Sequence, residues 1–193
     1  MIWRLPVSSV TTEREKKMFS DKLLTALNDQ MTFEFYSGYI YKAMAAYFRP
    51  LDLTGFANWL EIQTLEEMTH GERFYLYIND SNGRAHLGAI DEPKFDYSSP
   101  LEAFETALHH EELVTGRINK LADMALAESD QATRIFLDWF VTEQIEEEAN
   151  VGSIVAKLKL IGDDRPALLL LDQNLATRAF IPPAPGTLSI TGG

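Results

Sequence analysis

The stretch TLEEMTHGERF, residues 64–74, places a carboxylate and an imidazole at a spacing that suits metal binding. In an α-helix Glu67 and His70 are about one turn apart and share a face. Leu60 and Phe74 fall on the same face, so it also carries large apolar side chains. A buried ionised carboxylate is costly unless it is protonated, paired or bound to a metal. The stretch therefore predicts polar chemistry inside a hydrophobic core.

Four long segments with helical periodicity position such groups, and turn-forming residues separate them. Their predicted bounds are Ser20–Phe48, Leu53–Asn79, Pro100–Glu128 and Gln131–Ile161. A shorter fifth helix is predicted from Pro166 to Arg178. The connection at 81–98 can cross the whole bundle, because about 18 extended residues span up to ~59 Å. These features predict an all-α fold: a four-helix bundle with one long crossover between the second and third helices and a short fifth C-terminal helix.

Composition limits the organisation and the partners of the chain. Its 193 residues fit one domain, which we place at 18–180, with a mobile extension at 1–17 and a tail at 181–193. The absence of cysteine excludes disulfides, thiolate sites and iron–sulfur clusters. A net charge of −12 disfavours nucleic acid and anionic membranes as partners. No stretch is typical of a signal peptide or a membrane span, so we expect a cytoplasmic protein.

Each long helix carries a stripe of residues in steps of three and four that is apolar at both ends and polar in the middle. The polar groups in the middle of the stripes are Glu34 on the first helix, Glu67 and His70 on the second, Glu111 on the third, and Gln144 and Glu147 on the fourth. On the third helix the predicted stripe is Leu101, Phe104, Leu108, Glu111, Thr115, Ile118, Ala122 and Ala125. When the two halves of the chain fold together, the polar middles should meet at one level of the bundle.

Four carboxylates at one level of a core would repel each other strongly. The basic residues Lys42, Arg73 and Lys120 fall outside the stripes, so we expect no cationic side chain to neutralise the layer. A pair of divalent cations would do so, as in helical bundles that bind two metals through glutamates and E-x-x-H motifs. Oxygen ligands with one imidazole and no sulfur favour iron, manganese or zinc over copper(I). The alternative is a purely structural core of salt-bridged side chains.

The segments LNDQMTFEFYSGYIY, GFANWLEIQTLEEMTH, HHEELV and FLDWFVTEQIEEE resemble the non-haem ferritins of bacteria and archaea over about residues 20–180. The resemblance implies a homo-oligomeric cage of about 24 subunits that oxidises Fe(II) with O₂ or H₂O₂ and stores Fe(III) mineral. It implies a ferroxidase centre in which Glu34, Glu67 and His70 bind the first iron. Glu67 would bridge to a second iron, which Glu111 and Glu147 complete.

The same resemblance implies roles for residues around the two irons. Gln144 would lie beside the second iron, and Tyr41 would be a redox-active tyrosine near the centre. A third iron site, frequent in prokaryotic ferritins, would be formed by Glu66, Glu143, Glu146 and Glu147.

Several alternatives stay open at this point. Haem is not expected, because Met68 is the only match to the bacterioferritin haem pattern and the fourth helix has Q-x-x-E in place of a second E-x-x-H. A di-iron oxygenase or a rubrerythrin-like peroxidase is one rival function, and a metal-buffering bundle without catalysis is another. The remaining histidines lie outside the stripes and are predicted to be at the surface: His86, His109 and His110.

Overall fold

A computed structural model of the chain describes residues 18–183. All regular structure in this range is helical, which confirms the all-α fold class. The helices are α1 (Asp21–Phe48), α2 (Thr54–Asp80), α3 (Pro100–Ala127), α4 (Gln131–Ile161) and α5 (Arg165–Leu175). A 3-10 turn, Arg49–Leu51, joins α1 to α2. The extension predicted at 1–17 and most of the tail predicted at 181–193 lie outside the described residues, and the domain bounds stay predictions.

Side-chain caps lie at the starts of α1, α3, α4 and α5. Ser20 accepts a hydrogen bond from the backbone N–H of Leu23 at 3.0 Å, and Ser99 caps α3, with Pro100 in its first turn. Asp130 caps α4 in the same way. These contacts satisfy backbone donors that have no partner within their own helix.

The crossover between α2 and α3 is confirmed. Helices α1 and α2 pack as one pair and α3 and α4 as the other, with α1 also packed on α3. The segment between Asp80 and Pro100 contains no regular structure and begins beside one end of the bundle, where Ala85 packs on the core. It finishes at the other end, where Tyr97 is buried. The connection therefore runs along the length of the bundle.

Two apolar clusters fill the bundle and leave a polar layer between them. One is built around Phe48, Phe56 and Phe104, and the other around Phe74 and Phe140. This division is the three-dimensional form of stripes that are apolar at their ends and polar in the middle. The layer between the clusters is cut off from solvent on both sides along the bundle axis, so its charged groups have lost much of their hydration.

The predicted phase of α3 was partly wrong. Four residues of the predicted stripe are only half-buried: Leu101, Leu108, Thr115 and Ala122. The structure buries instead a set of residues that each lie one position before a member of the stripe: Ala103, Ala107, His110, Val114 and Leu121. The members shared by both sets are Phe104, Glu111, Ile118 and Ala125. Helix α3 contacts both α1 and α4 and buries a face wider than a single stripe.

Helix α5 docks on the first turn of α2. Leu53 at the N-cap of α2 makes no side-chain capping bond. The carboxylate of Asp172 from α5 takes that place, because its Oδ1 accepts the N–H of Phe56 at 2.9 Å. The approach requires glycine at position 55, since a Cβ there would lie 1.7 Å from the carbonyl oxygen of Asp172. The helix ends at Leu175, three residues before the predicted Arg178.

Substituting Gly55 tests this docking. Gly55→Ala should force α5 off α2 and lower the stability of the bundle by about 1–3 kcal/mol, the usual cost of overpacking. Gly116→Ala is the matched control, because a Cβ there meets no atom of the described residues within 4 Å. It should leave stability unchanged or raise it by up to about 1 kcal/mol through helix propensity. Thermal unfolding followed by circular dichroism measures both; equal melting temperatures would contradict the docking.

Candidate metal centre

The structure brings the polar middles of all four long helices into one buried layer. The buried members are Glu34, Glu67, His70, Glu111, Gln144 and Glu147, each no more than 3% exposed. Four helices therefore deliver four carboxylates, one imidazole and one amide to the same level of the bundle. Their roles as ligands stay predictions, but their convergence is what a bundle metal centre requires.

Glu34, Glu67 and His70 form the tightest group. One potential ligand atom from each lies within 4.8 Å of the other two, a separation suited to a single cation. Glu34 Oε2 and Glu67 Oε2 are buried and have no hydrogen-bond partner among the described residues. A buried carboxylate oxygen without a partner carries a desolvation cost that a bound cation would remove.

Glu111 and Glu147 form the other half of the layer. Tyr41 donates its phenolic hydrogen to Glu111 Oε1, and Gln144 Nε2 donates to Glu111 Oε2 at 3.1 Å. Gln63 Nε2 donates to Glu147 Oε2 at 2.7 Å. Both oxygens of Glu111 are therefore engaged by neutral donors, in contrast to Glu34 and Glu67, each of which has one oxygen without a hydrogen-bond partner; His70 Nδ1 lies 3.4 Å from that oxygen of Glu67.

The residues predicted to form a third iron site differ in how close they lie to the polar layer. Glu143 is half-buried, and its carboxylate lies with His70 and Glu147 in a second group of atoms within 4.8 Å of one another. Glu66 forms an ion pair with Arg178, and Glu146 is exposed. The geometry thus favours Glu143 as an additional ligand on the His70 side of the layer.

Burial controls the ionisation of the layer. Desolvation, followed by the charge of Glu67, raises the pKa of Glu34 and of Glu111 to about 8. Desolvation and the charge of Glu111 raise the pKa of Glu147 to about 8 as well. The pKa of Glu67 is raised well above its usual value, mainly by burial and then by Glu147. Without cations the layer therefore holds protons near neutral pH, and cations would displace them.

Two glutamines that support the layer were missed as site residues. Gln30 Nε2 donates to Glu34 Oε1 at 2.7 Å. Gln63 Nε2 donates to Glu147 Oε2 at 2.7 Å and to Glu67 Oε1 at 3.3 Å. The signal was present in the sequence, because each glutamine precedes its own helix's glutamate by four residues, the spacing that places two side chains on one helix face.

Two arginines that the stripes did not indicate approach the layer, but their ion pairs are with Asp29 and Glu66 and not with a layer carboxylate. Arg117 of α3 donates from Nε to Gln30 Oε1 at 2.7 Å, and Arg178 donates from Nη1 to Gln63 Oε1 at 2.9 Å. Neither arginine lies on a predicted stripe. Each reaches inward from the edge of the bundle through its long side chain, which periodicity does not detect.

His110 is a second correction. It is buried, its Nε2 lies 2.7 Å from the hydroxyl of Ser37, and its ring stacks on Phe33. Burial lowers the pKa of His110 to about 4, so the ring packs as a neutral group. His86 and His109 are exposed, as predicted. Met68 is 39% exposed, and its side chain lies against Gly38 of α1. A Cβ added to Gly38 would lie 3.0 Å from the methyl carbon of Met68.

A cavity of about 480 Å³ opens beside the layer. His70, Glu66 and Glu143 line it, together with Phe180 and Ile181 of the segment that follows α5. The cavity gives the His70 side of the layer a route to the surface. Its lining includes the carboxylates of Glu66 and Glu143 together with the guanidinium of Arg73.

The donor set fits divalent cations. It combines four carboxylates with one imidazole, and two of the carboxylates have buried oxygens without partners. Such oxygen-rich sites with one nitrogen suit Fe(II), Mn(II) or Zn(II). Fold and site together define a helical-bundle protein with a carboxylate–histidine centre in its core. None of the helices in residues 18–183 has the length and apolar content that a membrane span requires.

Comparison with known proteins identifies the family. The model of the Ferritin-like domain matches residues 24–161. The chain is 45% identical to the bacterial non-heme ferritin of Staphylococcus aureus over 163 residues, covering 84% of this chain and 98% of that protein. A crystal structure of the open pore ferritin from Archaeoglobus fulgidus superposes with a TM-score of 0.83 at 45% identity, covering 84% and 99% of the two chains. The chain belongs to the ferritin family, which confirms the resemblance found in its sequence.

The raised pKa values predict how the metal-free protein responds to pH. A carboxyl group whose pKa rises from 4.5 unfolded to about 8 folded stabilises the fold below pH 4.5. That contribution is lost as the pH rises through 8. The melting temperature of chelator-treated protein should therefore fall between about pH 5 and pH 8, and added Zn(II) should raise it more at pH 8 than at pH 6.

A matched pair of variants isolates the layer from other titrating groups. Glu34→Gln with Glu147→Gln should flatten the pH profile of the melting temperature, because two of the raised pKa values are removed. Glu112→Gln, on the exposed side of α3, should leave the profile unchanged. A metal-free wild-type profile that is flat between pH 5 and pH 8 would contradict the raised pKa values.

Proposed function

We propose that this chain is the subunit of an iron-storage protein that oxidises Fe(II) at the buried layer. The observation that carries the proposal is the convergence of four carboxylates and one imidazole from four helices at one level of the core. A layer with this charge is tolerated when cations occupy it. The family of the chain makes iron the cation to test first.

Glu34, Glu67 and His70 would bind the first Fe(II), as their grouped ligand atoms suggest. Glu67 would bridge toward the second Fe(II), with Glu111 and Glu147 as its other ligands. Gln144 would orient Glu111 through its amide hydrogen bond and would not itself need to bind metal. The two positions differ in their ligands, since one contains an imidazole and the other only carboxylates, so the two irons should bind with unequal strength.

In the proposed reaction each Fe(II) loses one electron, and one O₂ accepts the two electrons and two protons to give H₂O₂. The carboxyl groups that hold protons at neutral pH would release them when Fe(II) binds, which supplies protons inside the layer. Burial and the charge of Glu111 raise the pKa of Tyr41 well above its usual value, so the phenol keeps its proton and can donate to Glu111. Its contact with Glu111 supports a redox-active tyrosine beside the centre, whereas both electrons in this reaction come from the two irons.

Fe(III) would then leave the layer and mineralise inside a closed homo-oligomer of about 24 subunits. The cavity lined by Glu66 and Glu143 offers an exit on the His70 side, and Glu143, grouped with His70 and Glu147, would contribute to a third, transient iron position there. The net charge of −12 is suited to holding cations in an enclosed space. We propose a cytoplasmic location and no nucleic-acid or membrane partner.

Loss of the ligands should abolish the reaction. The double variant Glu34→Ala, Glu111→Ala should slow aerobic Fe(II) oxidation, followed by stopped-flow absorbance, by more than the ~10–100-fold typical of losing an outer-sphere partner. The particle mass from native mass spectrometry should not change, because both side chains lie inside the bundle. Glu112→Ala is the matched control and should oxidise Fe(II) at the wild-type rate.

The same experiment separates the rival functions. Unchanged oxidation by the double variant would remove these residues from the centre. Binding of Fe(II) by the wild type without rapid oxidation would favour a metal-buffering bundle. Rapid oxidation by a particle of few subunits that retains no iron after sizing would favour a di-iron oxygenase or peroxidase.

A further inference from the structure

Arg117 and Arg178 each reach the polar layer through a glutamine. On one side Arg117 Nε donates to Gln30 Oε1 at 2.7 Å, and Gln30 Nε2 donates to Glu34 Oε1 at 2.7 Å. We call this chain of hydrogen bonds the first bridge. It links α3 to α1 and ends on a carboxylate of the tightest group.

The second bridge repeats the arrangement on α2. Arg178 Nη1 donates to Gln63 Oε1 at 2.9 Å, and Gln63 Nε2 donates to Glu147 Oε2 at 2.7 Å and Glu67 Oε1 at 3.3 Å. The two bridges thus reach three of the four carboxylates in the layer. Both glutamines are buried, with exposures of 1% and 0%.

The two arginines are anchored alike. Arg117 pairs with Asp29 at 2.7 Å and lies over the ring of Phe33 at 4.1 Å. Arg178 pairs with Glu66 and lies over the ring of Trp59 at 4.3 Å. An acidic partner and an aromatic face hold each guanidinium in a fixed plane, which suits its directional donors.

The chemistry of the amide explains what each bridge does. A glutamine side chain has an acceptor end and a donor end, and either could face the layer. Arginine only donates hydrogen bonds, so it selects the orientation in which the oxygen faces outward and the NH₂ faces the carboxylates. In each case the NH₂ donates a hydrogen bond to Oε1 of the glutamate on its own helix, Glu34 or Glu67. The Oε2 atom of that glutamate is left without a hydrogen-bond partner.

We propose that Arg117 and Arg178 are positioning residues that fix the two glutamine amides, so that Glu34 and Glu67 each present one free oxygen to a metal ion. The inference rests on the proposed function, since it concerns the same centre. The first bridge serves the site formed with His70. The second serves the shared carboxylate Glu67 and the partner site that contains Glu147.

The second bridge also connects the site to the end of the chain. Arg178 follows α5, and Asn58 Nδ2 donates to the carbonyl oxygen of Arg178 at 3.0 Å. The backbone around Arg178 is thereby held on α2, beside the cavity. Correct docking of the C-terminal segment would therefore be required to orient Gln63, whereas Arg117 is fixed within α3.

Anaerobic titration with Co(II), followed by its visible absorption, tests the proposal without turnover. Arg117→Met should weaken the site with Glu34 and His70, and Arg178→Met should weaken the site with Glu147, each by about 10–100-fold in affinity. Simple charge effects predict the opposite sign, because removing a nearby cation should strengthen Co(II) binding. Arg134→Met, an exposed arginine paired with Asp138, is the matched control and should bind as the wild type does.

A double-mutant cycle separates orientation of the amide from general damage to the fold. Arg178→Met should have little further effect on Co(II) affinity in a Gln63→Leu background, because both changes remove the same oriented donor. The equivalent cycle combines Arg117→Met with Gln30→Leu. Arg178→Lys keeps the charge and the stem over Trp59, and should weaken binding less than Arg178→Met; it carries the test if the methionine variant does not fold.

The outcomes are distinguishable from those of the proposed function. Equal or tighter Co(II) binding by both methionine variants, or additive effects in both cycles, would overturn the positioning role while leaving a ferroxidase centre intact. If the two methionine variants weaken their Co(II) sites as expected but the wild type does not oxidise Fe(II) rapidly, the positioning role would be supported and the ferroxidase activity overturned. If the wild type binds Co(II) no more tightly than the double variant Glu34→Ala, Glu111→Ala, both proposals would be overturned.

Discussion

The central constraint on this protein is the cost of holding four carboxylates in a dehydrated layer. The two apolar clusters exclude water above and below Glu34, Glu67, Glu111 and Glu147, and burial raises the pKa of each of them. In the absence of cations the layer can remain stable only by keeping protons. The same burial that penalises charge makes the layer a strong site for cations, because a bound cation replaces protons and satisfies oxygens that have no other partner. Stability and metal binding are thus two results of one arrangement.

The hydrogen bonds around the layer divide the carboxylate oxygens into two kinds. Those bonded by amides or by Tyr41 are held in place, whereas Oε2 of Glu34 and Oε2 of Glu67 have no hydrogen-bond partner among the described residues, and only the His70 ring approaches the latter, at 3.4 Å. A centre that binds metal needs both kinds, since bonded oxygens fix the geometry and unbonded ones can coordinate. The pairing of one buried glutamine with one arginine occurs twice, at Gln30 on α1 and at Gln63 on α2.

The short fifth helix has a structural role that links the end of the chain to the centre. Asp172 caps the first turn of α2, and the segment after Leu175 carries Arg178 to Gln63. Helix α2 supplies Glu67 and His70, so the fifth helix supports both the start of this helix and the orientation of the side chains halfway along it. The close approach depends on Gly55, where no side chain could be accommodated.

The sequence by itself determined the helices, the crossover and the polar layer, because periodicity and turn chemistry act over a few residues and can be read from neighbouring positions. It also determined the family, through motifs that cover the bundle. Tertiary structure decided the exact face of α3, the burial of His110, and the arrival of Arg117 and Arg178 at the layer. The two arginine contacts join residues that lie 87 and 115 positions apart, and all of these features depend on how helices rotate against each other and where long side chains reach. A single helix's spacing carries no information about either.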